Sequence, residues 1–420
     1  MIHRALFFFF FKLTLLSALS ICMIAARKLE PSFNDIEQTE FAQQLQHALQ
    51  KMMMISRQED DLSAVTNKQQ QHASTTTTAA GCSSPSSKWL KGIIADVSTE
   101  DLTTFFNNHL HVLPFVYKLH VAPRQYDQEY FGLDGEYTQE IRSVHNQARE
   151  FWSEEDSGIQ DEIYLLSAHG SDLADRHGKL VPTLELLFHS TYDDSDYTVY
   201  DHATDIQELI SRLPGGYNFP LLTFNAFATD EMDDTNEDSS IIIGDGYFQF
   251  QQALGMDSEG PEYAHAHEFS HHLQFLLGVS DTKSGIVQVV KKSELLADAF
   301  SAYFLAHDQG GNMASDEIAN VHSVAFSVGD CVKSSVGHHG TPIQRRCATV
   351  WGAALAGDGE ETMDKMDLFE FQNRFDKWYE RVDDLGESCQ HVHSAASRPY
   401  RIILFLQVIT FLVGGLSVLL

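Results

Sequence analysis

The chain has 420 residues, 43% of them hydrophobic and 11% aromatic, including 28 Phe and 14 Tyr. That composition excludes wholesale disorder and supplies cores for two or three domains. Lys and Arg total 28 against 59 Asp and Glu, a formal charge of −31. Such a field repels phosphate, and no basic patch offsets it, so no nucleic-acid partner is expected.

Met1 to Arg4 is a short basic start, and Ala5 to Ala26 is an apolar run broken only by Lys12, Thr14, Ser17 and Ser20. Residues 1–26 read as a signal peptide cleaved near Ala26, with an uncleaved anchor as the alternative, so the folded part is expected to be exported. Residues 27–88 form a polar, low-complexity spacer or pro-segment. Phe33 to Ile55 suits an amphipathic helix, and Gln69–Gln71, Thr75–Thr78 and Ser83–Ser87 around Pro85 suit a linker.

Globular texture begins at Trp89, and residues 89–260 read as an α+β N-terminal lobe. Phe115–Val121, Ile163–Ser167, Leu184–Phe188 and Leu221–Phe227 have strand length, whereas Ile141–Trp152 and Ile206–Leu213 read as helices. Residues 261–385 read as a helical lobe. Its helices are expected from Pro261 to a stop at Gly278, over Lys292–His307 and Ser315–Val328, from Thr341-Pro342 to Ala356, and over Met366–Val382. A spacer at 386–401 leads to Ile402–Leu420, uncharged and long enough to span a bilayer. With no basic residue after it, this tail reads as a glycolipid-anchor signal, with attachment between Ser388 and Ser397, and a membrane helix is the alternative.

Cys22 leaves with the signal peptide. The remaining Cys82, Cys331, Cys347 and Cys389 allow three connectivities. Cys331 with Cys347 is the expected pair, because the loop between them is short. No Asn-x-Ser/Thr sequon occurs, so N-glycosylation is not expected.

The chemistry concentrates in the first helix of the second lobe, at His267-Glu268-Phe269-Ser270-His271. Residues i and i+4 differ by about 40° around a helix, so both imidazoles can share one ion. Glu268 lies beside them, able to reach a water held on that ion. On the next helix, Glu294-Leu295-Leu296-Ala297-Asp298 offers Glu294 as a third ligand. Asp298, one turn on, can accept a hydrogen bond from His267 or His271 and fix its tautomer. The expected cofactor is one Zn2+ per chain.

With both patterns in this order, the chain resembles the gluzincins, the metallopeptidase group typified by thermolysin. It is also similar to the bacterial neutral zinc metallopeptidases, which carry a helix like His267 to His272, then Glu-x-x-Ala-Asp, then a His-Gly-Thr-x-x-Gln-Arg segment. That last segment is His339-Gly340-Thr341-Pro342-Ile343-Gln344-Arg345 here. Asn225-Ala226-Phe227-Ala228 resembles the edge strand on which thermolysin-like enzymes hold substrate backbone, and Ser240 to Gly246 resembles the strand that follows. The resemblance covers roughly Leu221 to Gly357. It implies a zincin-like α+β fold, a mixed lobe with an edge strand and a helical lobe, with the metal helix between them.

The same resemblance implies a zinc endopeptidase with Glu268 as the base, Asn225 and Ala226 as substrate-binding positions, and a peptide or protein as substrate. The gap between His271 and Glu294 exceeds that of thermolysin, and no tyrosine lies in Gly278–Ser284 to polarise the scissile carbonyl. His339 can stabilise the oxyanion instead or serve a structural role, and His338 is the weaker candidate. His265 and His272 lie on other faces of the helix and read as outer or surface residues rather than ligands. A different class also fits: a catalytically silent, zinc-stabilised surface binding module. Asp234-x-Asn236-x-Asp238 with Asp245 partly mimics a Ca2+ loop, but Ser239 stands where that loop needs Gly, so a solvated acidic loop is expected. Cys82 as a thiolate capping the zinc is a remote alternative.

Overall fold

The computed structural model describes residues 82–389 apart from 83, 124–125, 154–162, 193–195, 230–238, 279–285, 332–337, 358–363 and 386–388. The expected signal peptide, the Phe33–Ile55 helix, the Asp234–Asp238 cation loop and the Ile402–Leu420 tail lie outside the described residues. Among the described residues no helix is long and apolar enough to cross a membrane.

Helices and a small sheet combine in an α+β arrangement. In chain order the helices are α1 Pro85–Ile93, α2 Thr99–Asn107, α3 Leu113–Val116, α4 Thr138–Trp152, α5 Val181–Tyr192 and α6 Val199–Arg212. They continue as α7 Asp245–Ala253, α8 Gly260–Leu277, α9 Ile286–Ala306, α10 Ser315–Ser327, α11 Pro342–Leu355 and α12 Leu368–Tyr379. The strands are β1 Tyr164–Ala168, β2 Ala226–Thr229 and β3 Ser240–Gly244, in spatial order β1-β3-β2. β3 runs parallel to β1, with Leu165 opposite Ile241, and antiparallel to β2, with Ala226 opposite Ile243. Its Ile241-Ile242-Ile243 run is buried throughout, as expected of β-branched residues in a strand covered on both faces.

Successive side chains of a strand alternate between the two faces of a sheet. Ile242 therefore joins Phe115, Leu166, Ala168 and Phe227 on one face. Ile241 and Ile243 join Ile141, Val144, Phe269, Leu296, Phe300 and Trp351 in the main core. That core takes residues from both sides of position 260. A second core packs α2 and α3 against α5 and α6 through Phe105, Leu113, Leu184, Ile206 and Ile210.

Helix ends were legible where caps and period agree, whereas α6 begins at Val199 rather than Ile206, α9 begins at Ile286 rather than Lys292, and α2 and α7 were not expected. Thr341 caps α11 with Pro342 at its first position, and Gly278 ends α8 at φ +60°. Short apolar runs misled instead. Phe115–Val121 is the end of α3 and a π turn, and Leu184–Phe188 lies inside α5. Phe115, Val116 and Tyr117 are buried in succession and show no period, and Leu184 with Leu187 buried beside exposed Glu185 is too short a run to separate helix from strand. Leu221–Phe227 is strand only from Ala226, because Pro220–Leu222 forms a 3-10 turn.

The segment Ser83–Ser87 is not all linker. Ser84 accepts a hydrogen bond from the Ser87 N–H and Pro85 opens α1, so regular structure starts before Trp89. The disulfide expectation is also corrected: Cys82 pairs with Cys331 and Cys347 with Cys389. Cys347 points from α11 into the main core, where Cys389 meets it at a Cα separation of 5.4 Å. Pairing needs Cα atoms within about 7 Å, which nearness in sequence does not guarantee. Cys82, held in a disulfide, is no thiolate for a metal.

Candidate metal centre

From Gly260 to Gln274 every residue of α8 except Glu262 is buried. Its polar side chains must therefore find partners inside the protein. His265 Nε2 lies 3.0 Å from His145 Nδ1 on α4, and His272 Nε2 lies 3.3 Å from the Ser240 carbonyl of β3. These two histidines are internal, not surface residues, and they bind the helix to its neighbours. Burial, with His145 and His272 close by, holds the His265 imidazole well below its ordinary pKa.

His267 and His271 face the other way, their rings 4.8 Å apart and nearly perpendicular. Each Nδ1 is engaged on the far side from the other ring. His267 Nδ1 is 2.9 Å from Asp298 Oδ1, and His271 Nδ1 is 3.2 Å from Gln274 Oε1. Gln274 is itself fixed, donating to the Ser293 carbonyl at 2.8 Å and accepting from the Ser293 hydroxyl. With each Nδ1 proton placed, each Nε2 lone pair points inward. His267 Nε2 is 3.3 Å from Glu294 Oε2, and His271 Nε2 is 3.6 Å from Glu294 Oε1.

Three ligand atoms, one from each of these residues, lie within 4.8 Å of one another, so the group can hold a metal ion. A tetrahedral ion with bonds near 2.0–2.1 Å sets neighbouring ligand atoms roughly 3.3 Å apart. The His–Glu separations of 3.3 and 3.6 Å, each to a different Glu294 oxygen, lie close to that spacing. Charge fits as well. Glu268, Glu294 and Asp298 are buried together with one buried arginine, Arg345, and such an acidic set suits a cation.

The titration of these groups reflects their pairing with one another. Burial alone would lower the His267 pKa, but its hydrogen bonds to Asp298 and Glu294 raise it to about 9. Burial pushes the Glu294 carboxyl up, and His339, His267 and His271 outweigh it, holding it well below the usual carboxylate range. Burial opposes the ionised Asp298 in the same way, and Arg345 holds its pKa down.

The structure brings His267, His271, Glu294 and Asp298 into one cluster, and Glu268 is buried next to His267 in the chain of α8. His339 stands at its margin, its ring a quarter exposed and close enough to act on Glu294. Asp330 holds the turn that carries it, accepting the His339 backbone N–H at 2.8 Å and lying 2.6 Å from His338 Nδ1. His338 is buried in that contact and serves the turn. Asn225 directly precedes β2, with its carbonyl accepting the Gly244 N–H at 3.0 Å. Ala226 begins β2, an outer strand of the sheet that packs against α8. Asp245, the last position of the expected cation loop, is instead buried with each carboxylate oxygen 3.0 Å from His169 Nδ1.

Three further residues of the cluster were not singled out from sequence. Arg345 forks onto Asp298, and Tyr263 donates its hydroxyl to the same carboxylate. Tyr247, just past β3, belongs to the same electrostatic group: burial raises its phenol pKa, Glu268 and Asp298 add to the rise, and Arg345 opposes it. Only the His-Gly-Thr-x-x-Gln-Arg segment hinted at Arg345. No protein-family model matches the chain, no curated protein matches its sequence and no solved structure matches its fold.

Proposed function

We propose that the chain is an exported zinc-dependent endopeptidase of zincin-like fold, resembling the gluzincins. The observation that carries the reading is the convergence of His267 Nε2, His271 Nε2 and a Glu294 carboxylate oxygen beside Glu268, with both Nδ1 atoms engaged elsewhere. Two imidazoles and one carboxylate form a donor set of the catalytic zinc type, which leaves a fourth position open. When bound, zinc supplies Lewis-acid polarisation of the scissile carbonyl and of the attacking water.

Glu268 takes the proton from that water and passes it to the leaving amine. A peptide lies in extended form along the outer edge of β2 near Asn225 and Ala226, held by main-chain hydrogen bonds. His339, at the margin of the cluster, donates to the developing oxyanion. Two disulfides support folding in an oxidising compartment. The C-terminal hydrophobic segment then holds the enzyme at the membrane.

The test compares wild type with Glu268→Gln, which keeps the shape and removes the base. The variant should retain one zinc per chain while peptide cleavage falls by several orders of magnitude. Undiminished cleavage would remove Glu268 from the mechanism. A wild type that binds zinc yet cleaves no member of a mixed peptide library would support the silent binding module instead.

A further inference from the structure

Arg345 projects from α11 into the cluster and is 5% exposed. Its Nε donates to Asp298 Oδ2 at 2.8 Å and its Nη2 to Asp298 Oδ1 at 2.6 Å. The same Nη2 lies 3.3 Å from the Tyr263 hydroxyl, 3.4 Å from His267 Nδ1 and 4.0 Å from Glu294 Oε2. Asp298 has no exposed surface, and it also accepts from Tyr263 and His267. Its carboxylate is therefore held on both oxygens.

Guanidinium has donors and no acceptor. It cannot take the His267 Nδ1 proton, so that proton has only the Asp298 oxygen to go to. A carboxylate locked in this plane fixes the ring plane of His267 and directs its Nε2 at Glu294. The helices that carry the two partners are held close. Gly352, two turns from Arg345 on α11, lies so near α9 that a Cβ there would come within 2.0 Å of the Ala299 carbonyl oxygen. Ala299 is the residue after Asp298.

We propose that Arg345 is a positioning residue for the metal, acting through Asp298 to aim His267. The inference rests on the zinc reading given above, and goes beyond it by placing a determinant of affinity on a helix that supplies no ligand. An Arg fork can be locked onto a carboxylate in a way that a Lys ammonium cannot, so charge alone should not suffice here.

The test is zinc affinity of the full exported chain, measured by competition with a chromogenic chelator. Wild type, Arg345→Lys, Asp298→Asn and the double variant Asp298→Asn with Arg345→Met are compared. Arg345→Lys should weaken zinc binding about 10–100-fold, as losses of ligand-orienting partners do. The double variant removes the buried charge pair together and so avoids an uncompensated carboxylate. It should bind zinc within about twofold of Asp298→Asn alone, because the two residues act as one unit. In the zinc-loaded protein, the His267 Nδ1–H resonance should exchange slowly in wild type and be lost in Arg345→Lys. Wild-type affinity in Arg345→Lys, or a double variant that binds zinc more than about tenfold more weakly than Asp298→Asn alone, would overturn the proposal. A wild type that takes up no zinc overturns the metal reading itself, and that result is distinct because it appears before any variant is compared.

Discussion

Glu294 and Asp298 stand one turn apart on α9 and do different work, which makes them separable by substitution. Glu294 approaches the Nε2 atoms of both histidines, whereas Asp298 touches only the Nδ1 of His267. Asp298→Asn should therefore cost roughly 10–100-fold in zinc affinity, and Glu294→Gln should cost more than that. Equal zinc content at limiting metal would mean that the third ligand is misassigned. A second carboxylate group offers a test by pH. Burial, then Glu262, Glu259 and Asp257, raise the Glu140 pKa from 4.5 to about 7, and its Oε1 finds no hydrogen-bond donor among the described residues. Between pH 4.5 and 7 the folded chain holds a proton there that the unfolded chain lacks, so this stabilisation is lost as pH rises through 7. Glu140→Gln should raise the melting temperature by a few degrees at pH 8 and leave it unchanged below pH 4.5. No gain at pH 8 would mean that the carboxylate is compensated. At this scale the motif residues were legible, because i, i+4 geometry is local to one helix. Gln274, Ser293, Tyr263 and Arg345 were not, because the packing of α8 against α9 and α11 selects them.

Helix α8 shows what the local pattern could and could not reveal. Its ends were readable from Pro261 and Gly278, but its histidines at 265 and 272 looked peripheral because an isolated helix has a free face. Here α4, α9 and strands β2 and β3 occupy the faces, and those histidines become internal bolts. The contact between α9 and α11 is equally invisible to periodicity, since it depends on the missing side chain of Gly352. Gly352→Ala should force the helices apart or distort them, at a cost of about 1–3 kcal/mol. Calorimetry should show a lowered melting temperature, and zinc affinity should fall with it because Arg345 and Asp298 sit on these two helices. An unchanged melting temperature would show that the pair adapts without strain. The strands divide the same way: Ile163–Ser167 was found because charged residues and turns bound it, and Phe115–Val121 was misread because nothing in its composition excludes helix.

The described residues form three apolar clusters, one on each face of the sheet and one among α2, α3, α5 and α6, and the four paired cysteines add covalent ties. Its α+β character was legible from the mixture of element lengths. Its cross-links were not, because three pairings satisfy the same four cysteines and only the folded distances choose between them. The bridge from Cys82 to Cys331 spans 249 residues and begins just ahead of α1. It makes the body of the protein a closed ring, with the Asp330 turn beside the clasp. A single backbone cut anywhere between 83 and 330 should leave two pieces that travel as one band in denaturing gels until thiol reductant is added. A cut before Cys82 should instead shed its piece at once, with or without reductant. Maturation at the N-terminal side and damage to the body would thus leave opposite signatures on the same pair of gel lanes.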